Sequence, residues 1–260
     1  MTDWLALCRA ATDDVRAVLH ELPSRAAREP VLATGAGGDD TTMIDAEAER
    51  VVLARFADLD VTIVSEEIGT RGDGRRRVIV DPIDGSLNAK RGIPFFSLSI
   101  AVADGEAMRD VEFGYVYDFG SGEEWVVRRG QGVALNGEPL RAEPPRERIE
   151  ILSFEATLTS EVADKAAAFT GVAHRLRIMG SLALSLCHLA AGRVDAVVSL
   201  KPYRSVDVAA AQLAVRERGL VIANADGGEF DDAPLDLVPR SRLAAAGSEE
   251  LCAKVMAGLR

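Results

Sequence analysis

At 260 residues and 48% apolar composition, the chain is long enough for one large core or two modest subdomains, which excludes disorder as its ground state. A net charge of −11 and a pI near 4.9 argue against nucleic acid as the main partner, because binding a phosphate backbone usually needs a basic surface. An anionic small substrate stays open where metal ions or a local arginine cluster reverse the sign at one site. No uninterrupted apolar run approaches the roughly 20 residues of a membrane span, and no basic and apolar leader opens the chain, so a cytoplasmic protein without a membrane partner is expected. Cys8, Cys187 and Cys252 are odd in number and far apart, which argues against a disulfide framework or a zinc cluster.

Trp4, Leu7, Ala11, Val15, Val18 and Leu22 recur at helical spacing, and Pro23 closes that segment. The glycine-rich stretch "ATGAGGDDTT" (33–42) reads as a loop leading into a second helix over 43–58, with Asp45 in its first turn. Short apolar strands follow at 61–64, 77–80, 95–103, 112–118 and 123–129, giving a first half of two helices on a mostly antiparallel sheet. "RAEPPRER" (141–148) is proline-rich and charged, and marks the expected boundary between subdomains 1–145 and 146–260. Beyond it strands (149–154, 174–179, 194–200, 220–224, 242–247) and helices (160–169, 181–191, 206–218, 248–258) largely alternate, the pattern of an α/β layer. Ser181 and Ser205 are the expected N-caps of the two middle helices, with Gly192 and Gly219 beyond their ends.

Within this frame "VIVDPIDGSLNA" (78–89) ends an apolar run in two aspartates, which is costly to bury without a cation or many hydrogen bonds. Glu66 and Glu67 end the strand at 61–64 in the same way, while Asp45 and Asp207 sit at helix starts. Carboxylates of this kind are what hard divalent cations such as Mg²⁺ select, commonly together with a phosphate substrate. Each acid alone has a plain alternative, a turn signal, a solvated loop or a favourable helix-terminal charge. Their combination with Gly85, Ser86 and Asn88 points instead to metal ions beside a phosphate cradle.

Three motifs carry a resemblance over nearly the whole chain. "DPIDGSLN" resembles the D-P-[IL]-D-G-[TS]-x-N signature of the inositol monophosphatase-like, lithium-sensitive, Mg²⁺-dependent phosphatases, "SEE" (65–67) their upstream glutamate motif, and "SVDVAAAQLAVRERG" their C-terminal W-D-x-A-A helix. "GAGGDDTTMIDAEAE", "VSEEIG" and "GYVYDFGSGEEW" are similar to the archaeal-type members acting on both fructose 1,6-bisphosphate and inositol phosphates. The resemblance implies an α/β fold, a layered αβαβα sandwich, and a homodimer. It further implies two or three Mg²⁺ ions held by Glu66, Asp81, Asp84, Asp207 and the carbonyl of Ile83. Asp45 would orient the attacking water, with Glu67 and Ser86 as further catalytic candidates. Ser86 stands where most relatives have threonine and keeps the hydroxyl; Val206 stands where inositol phosphatases usually have tryptophan, and "YRSVD" is nearer the fructose bisphosphatase branch.

For the remainder of a phosphate-ester substrate, the resemblance places the loop of Gly180 and Ser181 against the sugar or inositol ring, while Gly85 and Ser86 stay with the phosphate as substrate-binding candidates. Arg175, Arg177, Lys201, Tyr203 and Arg204 bracket that loop as candidates for a second phosphate, with ordinary surface charge as the alternative for each. None of the three histidines is assigned to metal or acid-base work. A haloacid-dehalogenase-like reading fails on spacing, since Asp81 and Asp84 are separated by two residues and lie far from the first strand. A 3′-phosphoadenosine 5′-phosphate phosphatase of the same superfamily and a non-catalytic ligand-binding regulator remain as rivals.

Overall fold

Asp3 caps the first helix, α1 (Trp4–Glu21), by accepting a hydrogen bond from Ala6 N at 3.1 Å, and Cys8, Ala11, Val15 and Val18 form its buried face. The computed structural model describes residues 2–141, 144, 146–155 and 158–260. The short helix α2 (Arg25–Arg28) comes next, and then the stretch expected as a loop turns out to be a hairpin. Its strands β1 (Val31–Thr34) and β2 (Asp40–Thr42) pair antiparallel around a Gly35–Asp39 turn. Every residue of β1 is exposed, so no buried face left an alternating signal in the sequence. β2 runs straight into α3 (Met43–Ala54), which packs beside α1.

The first large sheet is built from β3 (Val61–Ser65), β4 (Gly69–Arg71), β5 (Arg76–Asp84), then, after the helix α4 (Ser86–Arg91), β6 (Ser97–Ala103), β7 (Val111–Asp118), β8 (Glu124–Arg128), β9 (Gly132–Leu135) and β10 (Glu138–Pro139). Its order is β10-β9-β8-β7-β6-β5-β3-β4, antiparallel throughout except for the parallel pair β3/β5. The expected boundary stretch includes residues 142, 143 and 145, which lie outside the described residues. On its far side come β11 (Ile149–Glu155), α5 (Thr159–Ala166), β12 (Ala173–Arg177), α6 (Leu182–Ala190), β13 (Ala196–Ser199), α7 (Ser205–Glu217), β14 (Val221–Asn224), β15 (Leu243–Ala246) and α8 (Glu249–Leu259). These strands form a second sheet in the order β12-β11-β13-β15-β14.

Side-chain alternation shows how the layers stack. Val78 and Val80 of β5 pack with α1 and α3, while Ile79 faces α6 and α7. On the second sheet Val197 and Ala245 face α6 and α7 from the other side, and Ala196, Val198, Ala244 and Ala246 pack against α8. The sequence of layers is therefore α, β, α, β, α, as the motifs implied. α7 is the central slab: every residue from Ser205 to Val215 is buried, and the run Ala209–Ala211 keeps it thin enough to fit between two sheets.

Candidate active site

The parallel register of β3 and β5, with Ser65 opposite Val80, brings Glu66 and Asp81 side by side one residue further on. Both follow residues that face α7, since Val64 and Ile79 lie in that core and alternate positions share a face. Asp84 would point to the opposite face on simple alternation, but β5 carries a bulge there. Asp81 pairs with Ser99 and Asp84 with Ser97, so three steps on β5 match two on β6. Pro82 has no N–H to give the ladder, which suits it to this position. The bulge turns Ile83 into the core beneath α1 and α3 and returns Asp84 to the side of Asp81.

Two further elements complete the cluster. Asp207, in the first turn of α7, accepts a hydrogen bond from Arg204 N at 2.7 Å, and Arg204 is thereby the N-cap. Ser205, expected as that cap, is the first helical residue and donates instead to the carbonyl of Asp236 at 2.7 Å. Asp45 Oδ2 accepts from Thr42 N at 3.1 Å and from Thr42 Oγ1, and lies 3.2 Å from Lys90 Nζ. Glu66, Glu67, Asp81, Ile83, Asp84, Asp207 and Asp45 line one cavity of about 340 Å³, together with Gly85, Ser86, Lys90, Gly180, Lys201, Tyr203 and Arg204.

Not every candidate offers what its type suggested. Arg177 is outside that lining, on an edge strand, and its guanidinium donates to the carbonyl of Leu176. Arg175 also stays outside, paired with Glu150 at 3.0 Å. Tyr203 contributes to the wall, but its hydroxyl donates to Asn224 at 2.8 Å. Arg204 is committed to carboxylates, with Nη2 at 2.7 Å from Glu66 Oε1 and 3.0 Å from Asp207 Oδ1. Asn88, placed with the cradle in the sequence, spends its amide on the carbonyls of Phe95 and Met179. Ser181 lies behind the wall: it caps α6 through Leu184 N and donates its hydroxyl to Asp84 Oδ2, which also accepts from Ala183 N at 2.8 Å.

Three supporting side chains escaped the sequence reading. Glu49 on α3, buried, accepts from Ser65 Oγ at 2.5 Å and from the N–H groups of Glu67 and Ile68, each at 3.1 Å, so it pins the turn that presents Glu66. The available signal was its place one helical turn after Asp45, on the side of the apolar stripe. Glu155, at the end of β11, accepts from Ser185 Oγ and Gly180 N and holds the loop carrying Ser181. Lys90 stands against Asp45, and nothing in its local pattern distinguished it from a solvated helix lysine.

Electrostatics show how much positive charge this arrangement demands. Burial, reinforced by Glu66, Asp84 and Asp207, pushes the carboxyl of Asp81 well above the usual range, and burial likewise raises Glu66 against the pull of Arg204. Asp84 and Glu67 are each raised to about 7, again chiefly by burial. Buried, mutually repelling oxygen donors with a backbone carbonyl between them are the donor set of a hard divalent cation, so the residues present fit Mg²⁺.

A prediction follows for the metal-free protein. A carboxyl whose folded pKa exceeds its unfolded value binds extra protons in the folded state, so the stability it contributes is lost as pH rises through the folded pKa. In EDTA the melting temperature is expected to fall between about pH 5 and pH 7.5, and Mg²⁺ is expected to raise it far more at pH 7.5 than at pH 5. A flat or rising profile in EDTA, followed by scanning calorimetry, would contradict the burial of these acids.

Comparison with known proteins places this geometry. Residues 5–259 match the inositol monophosphatase family. A fructose-1,6-bisphosphatase/inositol-1-monophosphatase of Methanothermobacter thermautotrophicus is 34% identical, with 97% of this chain and 95% of the relative covered. A protein of the same name from Thermococcus kodakarensis is 32% identical over 88% of this chain and 86% of its own length. Among solved structures, an inositol monophosphatase-fructose 1,6 bisphosphatase superposes with a TM-score of 0.87 at 26% identity, covering 99% of this chain and all of the other.

Proposed function

Because this chain belongs to the inositol monophosphatase family, a family of phosphatases, we propose that its cavity hydrolyses phosphate monoesters of sugars and inositol, fructose 1,6-bisphosphate and inositol 1-phosphate foremost. The observation that carries this reading is the delivery of Glu66, Asp81, Asp84 and Asp207 to one cavity from β3, β5 and α7. In this reading those four carboxylates and the carbonyl of Ile83 hold two or three Mg²⁺ ions. When bound, Mg²⁺ supplies Lewis-acid charge for the phosphoryl group and lowers the pKa of water.

The chain's own groups do the positioning. Asp45 Oδ2 is taken up by Thr42 and Lys90, which leaves Oδ1 to accept a hydrogen bond from the attacking water. Gly85, with φ of 91°, turns the chain so that the first N–H groups of α4 and the Ser86 hydroxyl are presented to the phosphate. A side chain at Gly85 would come within 2.9 Å of the carbonyl of Gly180, so the turn also lets the two loops close around one substrate. Water adds to phosphorus, the ester oxygen leaves as the alcohol, and inorganic phosphate is the second product. Glu67 accepts from Thr41 and acts in this scheme by holding the hairpin to the site. We place the enzyme in the cytoplasm acting on free small molecules, a reading in keeping with the acidic pI and with no described helix being long and apolar enough to cross a membrane; that it is a homodimer rests on the family resemblance alone.

Phosphate release from both substrates, with Mg²⁺ and with EDTA, tests the assignment; release from neither in the presence of Mg²⁺ would reject it. Lys201 separates the two substrates. It lines the cavity, exposed, and among the described residues no carboxylate pairs with it, unlike Arg204 and Lys90. A second phosphate is the partner it lacks. Lys201→Ala is expected to raise KM for fructose 1,6-bisphosphate about tenfold, the loss of one hydrogen bond to a charged group, and to leave inositol 1-phosphate nearly unchanged. Equal losses on both would remove Lys201 from that role.

A further inference from the structure

Arg204 sits at the one place in the cavity where a cation is already present between two of the proposed metal ligands. A single nitrogen, Nη2, bridges Glu66 from the first sheet and Asp207 from α7, at 2.7 and 3.0 Å, while Nη1 reaches Asp39 Oδ2 at 3.4 Å. The Arg204 side chain is 11% exposed, and the side chains of Glu66 and Asp207 17% and 12%. The hairpin turn is shaped around it: a side chain at Gly37 would bring its Cβ within 2.5 Å of Nη1, and Gly37 N is tied to the carbonyl of Glu66 at 2.9 Å. Asp84 is turned onto Ser181 and Ala183, and Asp81 Oδ1 accepts from Ile83 N at 3.0 Å. Among the described residues no three acidic, histidine or cysteine side chains converge as a finished cation site. Arg204 supplies the positive charge that Glu66 and Asp207 share, while Asp81 and Asp84 have no cation paired with them among the described residues.

We infer that Arg204 is a resident counter-cation that Mg²⁺ must displace from Glu66 and Asp207, so that arginine and metal compete for the same carboxylate oxygens. The inference rests on the phosphatase reading for the identity of the ligands, and adds to it a residue that sets how much Mg²⁺ the enzyme needs. Two charge-assisted contacts hold the guanidinium in place, so the fraction of molecules with Glu66 and Asp207 free is small, and the apparent metal affinity is lowered by that fraction. The cost of the arrangement is a weaker metal site; its benefit is a cluster of acids that stays folded when Mg²⁺ is scarce.

The test is Mg²⁺ binding by calorimetry to wild-type protein, Arg204→Met and Arg204→Lys, with melting temperatures in EDTA and in saturating Mg²⁺. Arg204→Met is expected to bind Mg²⁺ about tenfold more tightly than wild type, to melt lower in EDTA, and to gain more from Mg²⁺. Arg204→Lys, which keeps one cationic nitrogen but loses the second that reaches Asp39 and is more strongly hydrated, is expected to fall between them, and it carries the test if Arg204→Met does not fold. Unchanged or weaker Mg²⁺ affinity in the variants, with phosphate release by the wild type intact, overturns the inference alone. If that result comes with weaker binding of inorganic phosphate in Mg²⁺, Arg204 is a substrate ligand and not a competitor. No Mg²⁺ binding by the wild type overturns the inference together with the phosphatase reading.

Discussion

Replacing Asp84 by asparagine is expected to cut Mg²⁺-dependent phosphate release by about a thousandfold or more, roughly 4 kcal/mol of transition-state stabilisation. The size of the effect follows from how the carboxylate is held. Oδ2 accepts from both Ser181 Oγ and Ala183 N, so Oδ1 is the oxygen left to face the cavity. Asparagine can keep its carbonyl oxygen on Ser181 and Ala183, which leaves an NH₂ group where a hard cation requires an oxygen. The fold should survive, because one buried charge is removed from a cluster of like charges. In EDTA the melting temperature is therefore expected to hold or rise while activity collapses. Activity within tenfold of wild type, measured at saturating Mg²⁺, would take Asp84 out of the ligand set.

The second large effect lies away from the chemistry. Gly114, on β7, lies directly against α7: a Cβ added there would stand 2.6 Å from the carbonyl oxygen of Ala210 and 3.2 Å from its Cα. Backbone cannot step aside as a flexible side chain does, so Gly114→Ala must push the helix off the sheet. Overpacking of this kind costs about 2–3 kcal/mol, and for a chain of this size the melting temperature is expected to fall by about 5–10 °C. Because α7 carries both Asp207 and its cap Arg204, a shift of the helix also misplaces a proposed ligand. Activity well below the new melting temperature is expected to drop about ten- to a hundredfold. A variant that melts within 2 °C of the wild type would show that the helix does not lie this close.

These two variants differ in how visible their targets are in the sequence. An apolar strand that ends in aspartate, proline and a second aspartate announces a charge needing compensation, because burial and side-chain type are local properties. The same holds for α6 and α7, whose apolar periodicity and terminal glycines are short-range signals, and for the alternating strands of the second sheet. Gly114 announces nothing, since its role exists only against a helix nearly a hundred residues later. The hairpin of β1 and β2 was hidden for a related reason: its first strand is exposed along its length and pairs with a neighbour rather than with the core.

For the site, residue identity was legible and partnership was not. Glu66, Asp81, Asp84 and Asp207 stand out as acids at element ends, but that Asp81 and Asp84 share a face depends on a bulge set by pairing with β6. Glu49, Glu155 and Lys90 look like solvated charges until α3, β11 and α4 dock around the cavity. Arg204 reads as a surface cation near a substrate loop, and becomes the bridge between Glu66 and Asp207 only when α7 slides between the two sheets. The sequence by itself determined most of the core-facing elements, their order and the chemical character of the site, since each follows from neighbours within a few residues. Which charges meet, which are neutralised and which remain free for a ligand was decided by tertiary structure, because Coulomb and packing energies depend on distances through space that the order of residues along the chain does not specify.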